Sequence, residues 1–331
     1  MNVLVAGGAG YIGSHTVRLL KQAGHSPIIY DNASRGHKPV ADILNVPAIW
    51  ADLADAATLT DTLRKHRIDC VMHFAAYAYV GESVHDPLMY YDNNVAVTIN
   101  VLKCMKSVGV GKFVFSSTCA TYGDPDTVPI TEDAAKRPVS PYGRSKWMVE
   151  QILEDHLAAE KTFSYAALRY FNASGCSSDG TIGEDHDPET HLIPVILQSV
   201  LGLRDKITVF GTDYPTPDGT NVRDYIHVED LADAHIRAAE KLGEHRQIIC
   251  NLGTGRGFSV KEIIKAVEEV TGKKVPVEFG PRRSGDAIAL WANPERARTL
   301  LGWEPKYTDP KQIIETAWAW MQKHPQGYSP A

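Results

Sequence analysis

No run of apolar residues in this sequence approaches the roughly 18–20 needed to span a bilayer, and an apolar strand pattern already starts at Asn2, where a secretory leader would stand. The expectation is a cytoplasmic protein that binds no membrane. Cysteine is scarce. Cys70, Cys104, Cys119, Cys176 and Cys250 are odd in number and never form a CxxC pair, which argues against a disulfide framework or a zinc–thiolate site and fits idle thiols in a reducing compartment. Positive charge is in deficit. The 34 Lys and Arg against 40 Asp and Glu leave a net charge of -6, with no electrostatic reason to bind nucleic acid. Internal repeats of 20–50 residues and low-complexity tracts are also missing. What is present is ordinary globular composition, 44% hydrophobic and 22% charged, over 331 residues. That length favours one large domain with a smaller one attached.

The first half alternates short apolar runs (2–6, 27–30, 48–51, 70–74, 112–116 and 164–170) with longer helical patterns (11–24, 55–66, 87–108 and 141–161). A parallel sheet covered by helices needs this alternation. The fold class expected is therefore α/β: a Rossmann-type doubly wound parallel sheet with a smaller C-terminal α/β substrate lobe. After Phe171-Asn172 the texture turns rich in Gly, Ser, Asp and Pro, which places the boundary there: a dinucleotide-binding domain over 1–172 and a substrate domain over 173–331. The segment 224–242 is expected to return to the first domain.

Gly7, Gly10 and Gly13 follow the first strand and open a helix. Glycines there let the backbone turn tightly and approach a pyrophosphate, which rests on the helix N-terminus. Asp31 stands 18 positions after Gly13, at the end of the second strand. A carboxylate there accepts bonds from the adenosine ribose and repels a 2′-phosphate, so NAD is favoured over NADP, with Arg35 nearby as a counter-signal. Asp52, after the third strand, can take an adenine amino group.

Tyr142 and Lys146 lie four apart on one helix, hence on one face. A tyrosine of pKa about 10 is a poor base at neutral pH. Two nearby cations, Lys146 and an oxidised nicotinamide, can lower it. The expectation is that Tyr142 ionises near neutrality once NAD is bound, with the Thr118 hydroxyl relaying the proton. The stretch Glu184-Asp185-His186-Asp187-Pro188-Glu189-Thr190-His191 carries many oxygen and imidazole donors but no zinc-protease signature. It reads as a loop, and no metal is expected.

The GGAGYIG turn, Asp31-Asn32, the FSSTCATYG run at 115–123, YGRSK at 142–146 and RYFN at 169–172 resemble the extended short-chain dehydrogenase/reductase family. Further matches at 80–95, 211–235, 251–257, 281–286 and the closing HPQGY point to its UDP-hexose 4-epimerase branch. The resemblance spans nearly all of 2–328. It implies an NAD-dependent, redox-neutral inversion at C4 of a UDP-sugar, with Tyr142, Lys146 and Thr118 as catalytic groups. It further implies that Tyr11, Ile12, Asn32, Leu53, Phe74, Ala75, Ala76, Asn93, Ser116 and Tyr170 join Gly7, Gly10, Gly13, Asp31 and Asp52 around the cofactor. Around the substrate it places Thr118, Asn172, His191, Leu192, Phe210, Tyr225 and Leu290. Arg223 and Arg283 would grip the diphosphate, for which planar guanidinium groups suit, and Asp286 the uridine ribose. Relatives pair as homodimers through the helices near 87–108 and 141–161, and the same is expected here.

Four positions depart from the resemblance. Thr118 replaces a common serine and keeps the hydroxyl. Ala78 stands where many members have a lysine on the cofactor, which implies looser NAD retention. His191 replaces an asparagine. Leu290 is intermediate between the tyrosine of hexose-restricted members and the small residue of those taking N-acetylated sugars, so some turnover of UDP-N-acetylglucosamine is expected, slower than of UDP-galactose. A UDP-xylose/UDP-arabinose 4-epimerase stays open. A 4,6-dehydratase is disfavoured because Cys119-Ala120 replaces the acid pair that expels water. A non-catalytic NAD sensor would have no use for Tyr142 and Lys146.

Overall fold

The computed structural model describes residues 1–283 and 286–328, so the middle of the 281–286 motif lies outside the described residues. Seven strands form one parallel sheet in the spatial order Gln247–Leu252, Ser164–Tyr170, Lys112–Thr118, Cys70–His73, Asn2–Ala6, Ser26–Asp31, Ala48–Trp50. The inner strands are almost continuously buried, as a sheet covered on both faces requires, while the edge strand Ala48–Trp50 has no buried residue. Two apolar clusters fill the two faces. One centres on Val5, Val17, Ile29 and Met72, the other on Leu4, Val71, Val101 and Phe113.

The strand order reverses between Asn2–Ala6 and Cys70–His73, and the carboxyl ends there are in register, Ala6 opposite both Tyr30 and His73. A crevice opens beyond such a switch point. The helix Tyr11–Gln22 leaves the first strand through the glycine turn, and Val228–Lys241 packs against it on the same face. The seventh strand, Gln247–Leu252, also joins this sheet, so the chain's return extends past residue 242.

The sequence pattern predicts one helix over 87–108. The structure instead has an α-helix over Pro87–Tyr91, a π-helical turn over Asp92–Ala96 and an α-helix over Val97–Val108. The wider turn lets Asn94 reach sideways: its side chain accepts from the Tyr77 amide (2.9 Å) and donates to the Tyr77 carbonyl (3.0 Å). Such turns interrupt helices where side chains are needed elsewhere.

Beyond residue 172, short ribbons and the helices Leu192–Leu201, Val260–Thr271 and Pro310–Lys323 surround a third core built on Ile196, Leu197, Val209, Ile263, Ile313 and Trp320. Val222–Arg223 is the middle strand of a small sheet between Phe258–Ser259 and Ala289–Leu290. Tyr225–His227 pairs with Asn172–Ser174. Among the described residues no helix is long and apolar enough to cross a membrane.

Candidate active site

The glycine turn is built for close approach. Gly7 has φ +79°, and a Cβ there would sit 2.5 Å from the Ala75 nitrogen; a Cβ on Gly13 would sit 2.1 Å from the Gly7 carbonyl oxygen. Gly10 caps the Tyr11–Gln22 helix in extended conformation with no side-chain cap, so first-turn amides stay available to an anion. The Tyr11 hydroxyl donates to the Gly175 carbonyl at 2.5 Å, which leaves its main-chain amide for that role. Ile12 is half-buried beside it.

Asp31 closes the next strand end. Its carboxylate accepts from Ala9 N (3.0 Å) and Ala33 N (2.8 Å). Burial raises its pKa while those two amides work against the rise. Asn32 donates to Asp52 at 2.9 Å, so the ribose and adenine candidates form one rim, with Leu53 buried behind them. Arg35, the counter-signal for a 2′-phosphate, is committed: it pairs with Glu82 at 2.8 Å and lies over the rings of Tyr77 and Tyr79. That leaves Asp31 to decide the preference, for NAD. Phe74 and Ala75 hang from the switch point, both amides donating to the Ala6 carbonyl, and Ala76 follows. Asn93 sits on the π turn and donates to Asn94. These groups fit a dinucleotide along the carboxyl edge of the sheet.

Tyr142, Lys146 and Glu150 share the inner face of the Pro141–Ala159 helix and are all buried. Lys146 Nζ donates to the Ser116 carbonyl at 2.9 Å and lies over Phe115. Burial lowers its pKa from 10.5 to about 7. Burial also pushes the Tyr142 phenol well above its ordinary 10, helped by neighbouring Tyr170 and opposed by contact with the Thr118 hydroxyl. The protein environment alone therefore favours the neutral phenol, whereas the ionisation expected of Tyr142 is for the protein with NAD bound. Ser116 Oγ and Tyr170 OH are 2.6 Å apart beside the pair.

Sequence reasoning missed the supports. Glu150 forms a buried ion pair with Arg169, Nε to Oε1 2.9 Å, and accepts from Ser117. Its spacing from Lys146 and an arginine inside the apolar strand Ser164–Tyr170 were readable signals. Ser145 donates to the Tyr142 carbonyl and accepts from Asn94, tying the catalytic helix to the π turn. Asp224, fully buried, accepts from Thr254 N (2.9 Å) and Ala292 N (3.1 Å) and holds together the loops around Arg223.

Of the substrate candidates, Arg223 and Leu290 are in register on adjacent strands, and Asn172 pairs with Tyr225. Arg223 has no carboxylate partner among the described ion pairs and donates to the Val222 carbonyl. Arg283 lies over Phe210 and bonds Asp286 at 2.9 Å, so the diphosphate and ribose candidates bind each other here. Tyr225 is not brought to the open face: it is 4% exposed within the C-terminal core. His191 stands at the N-cap position of the Leu192–Leu201 helix, with no capping bond from its side chain. The 184–191 stretch is a loop, as expected, and it brings donor atoms of Glu184, His186, Glu189 and His191 within 4.8 Å of one another.

The model of the NAD dependent epimerase/dehydratase family matches residues 3–253. A UDP-glucose 4-epimerase of Lactobacillus helveticus is 49% identical over 329 residues, covering 99% of each chain. The crystal structure of UDP-glucose 4-epimerase from Brucella ovis in complex with NAD is 48% identical with a TM-score of 0.93, over 96% of this chain and 97% of that one. That of the enzyme from Stenotrophomonas maltophila, with bound NAD and formylated UDP-arabinopyranose, is 41% identical with a TM-score of 0.96, over 98% and 99%. This chain belongs to the NAD-dependent epimerase/dehydratase family.

Proposed function

We infer that the protein is an NAD-dependent UDP-hexose 4-epimerase interconverting UDP-galactose and UDP-glucose. The observation that carries this is the buried Tyr142–Lys146 pair beside Thr118, set next to a dinucleotide turn. NAD, when bound, supplies the acceptor and later the donor of the C4 hydride. Tyr142 takes the proton of the sugar O4 and returns it to the oxygen of the inverted product. Lys146 and Thr118 bias the phenol toward ionisation, by charge and by hydrogen bonding. Reduction on the opposite face requires the 4-keto sugar to turn over while its nucleotide stays put. Arg223, Arg283 and Asn172 supply binding on the nucleotide, so little is lost when the sugar is released to rotate.

A pentose substrate is the second reading, supported by Leu290 and by the UDP-arabinopyranose derivative bound to the Stenotrophomonas relative. Pairing of two copies is supported by Val84, Leu88 and Met148, which are large, apolar and exposed on helices that pack side by side at residues 80–91 and 141–159. The test is to incubate purified protein, without added NAD, with UDP-galactose, UDP-N-acetylgalactosamine and UDP-xylose separately and to resolve the products. UDP-glucose from UDP-galactose is expected. Turnover of UDP-xylose alone would move the assignment to the pentose, and activity only after adding NAD would trace to Ala78.

A further inference from the structure

The loop that leads into the Leu192–Leu201 helix brings four donors to one point. His191 Nδ1 lies 2.9 Å from Glu189 Oε1 and 3.1 Å from Glu184 Oε1; His186 Nδ1 lies 3.3 Å from Glu189 Oε2 and 3.4 Å from Glu184 Oε1. A four-coordinate ion with bonds of about 2.0–2.2 Å has ligand–ligand edges of roughly 3.3 Å in a tetrahedron. The four imidazole–carboxylate separations straddle that edge.

Hydrogen bonding alone leaves the cluster unsatisfied. Each Nδ1 sits between two carboxylate oxygens but carries one proton at most. Both are aligned with Glu189, which also accepts from the amides of Thr190 and His191. Glu184 Oε1, on a side chain only 4% exposed, has no hydrogen-bond partner and points into the space between the two imidazoles. A buried carboxylate oxygen is rarely left in that condition. A cation at the centre would engage all four groups at once.

We propose that Glu184, His186, Glu189 and His191 form a closed site for one divalent transition-metal ion, best matched by zinc. Two imidazoles and two carboxylates suit zinc, whereas magnesium and calcium select all-oxygen shells. Four protein ligands leave no open position, which makes the role structural. The location gives that role meaning. The His186 ring meets the edge of the Tyr11 ring, at the start of the dinucleotide helix, with centroids 5.8 Å apart. The Tyr79 hydroxyl donates to the Pro188 carbonyl, and His37 Nε2 is 2.9 Å from the Asp185 carbonyl oxygen. On the other side His191 is the N-cap residue at which the Leu192–Leu201 helix of the C-terminal lobe begins. A metal here clamps the 183–191 loop between cofactor turn and substrate lobe. The His191 side chain, 42% exposed, leaves a path for entry.

The test uses full-length protein dialysed against a chelator, then titrated with zinc chloride against a chromophoric indicator, alongside Glu184→Gln and His186→Gln. One tightly bound equivalent is expected in the parent, with a rise in its thermal midpoint on adding zinc. Cobalt(II) should give the visible bands of four-coordination. Each variant should bind zinc roughly a hundredfold or more weaker, since a lost ligand exceeds the 10–100-fold typical of outer-shell changes. If His186→Gln fails to fold by circular dichroism, the isosteric Glu184→Gln carries the comparison. A parent that binds no stoichiometric zinc overturns the proposal and leaves a protonated imidazole–carboxylate cluster. Undiminished binding in the folded variants overturns it too, by placing the zinc elsewhere.

Discussion

Lys146 is held where a cation is expensive to keep. Its pKa falls from 10.5 to about 7 through burial, with no carboxylate partner in compensation. Between those values the folded protein holds fewer protons than the unfolded chain, so stability should rise as pH increases from about 7 to 10.5. Lys146→Met removes the desolvation penalty. In cofactor-free protein it should be more stable at pH 7 by on the order of 4 kcal/mol, with the rise toward alkaline pH gone; denaturant titration at several pH values checks both. The same variant should move the acid limb of the pH–rate profile upward, because Tyr142 loses a cation that favours its ionised form. An unchanged profile would contradict the role given to Lys146. Glu150→Ala should behave oppositely. It strands the Arg169 guanidinium, 2% exposed, and should cost about 3–5 kcal/mol in urea unfolding, with no comparable gain available from repacking.

The elements nearest the chemistry were the most legible in the sequence. The first and sixth strands of the sheet run as expected, over Asn2–Ala6 and Ser164–Tyr170, because buried parallel strands read as short apolar blocks. The Tyr142–Lys146 spacing located a helix face directly. What escaped was structure set by contacts distant in sequence: the π turn over Asp92–Ala96, opened for Asn94, and the convergence of Glu184, His186, Glu189 and His191, which follow no helical or strand period. The glycine turn gives a prediction on its own scale. Gly13→Ala would place a methyl group 2.1 Å from a main-chain oxygen with no flexible atom to yield, so NAD binding should be lost and the thermal midpoint lowered. The small sheet holding Arg223 gives another. Leu290→Tyr should leave UDP-galactose turnover within a fewfold while suppressing turnover of UDP-N-acetylglucosamine, measured as the ratio of kcat/KM for the two sugars.

Across the whole chain, the strand over Gln247–Leu252 shows why sequence order misled. It lies well past the Gly- and Ser-rich stretch that marks a change of texture, yet it completes the dinucleotide sheet beside Ser164–Tyr170. We therefore propose a division by contact, with residues 1–172 and the returning piece through 252 forming the cofactor body and the remainder the substrate lobe. Asp224 and Asn172 sit at that junction, joined by the Asn172 amide and the Asp224 carbonyl. In this proposed division the two arginines offered as the diphosphate grip, Arg223 and Arg283, fall in the substrate lobe, while Asn172 stays on the cofactor body with Tyr142 and Lys146. The most direct measurement is to convert UDP-galactose deuterated at C4 in ordinary water and to determine by NMR where the label resides in UDP-glucose. The account predicts deuterium retained at C4 in the wild type, with conversion lowered about 10²–10⁴-fold in Tyr142→Phe. Loss of the label to solvent would show that the hydrogen leaves C4 as a proton and would contradict it.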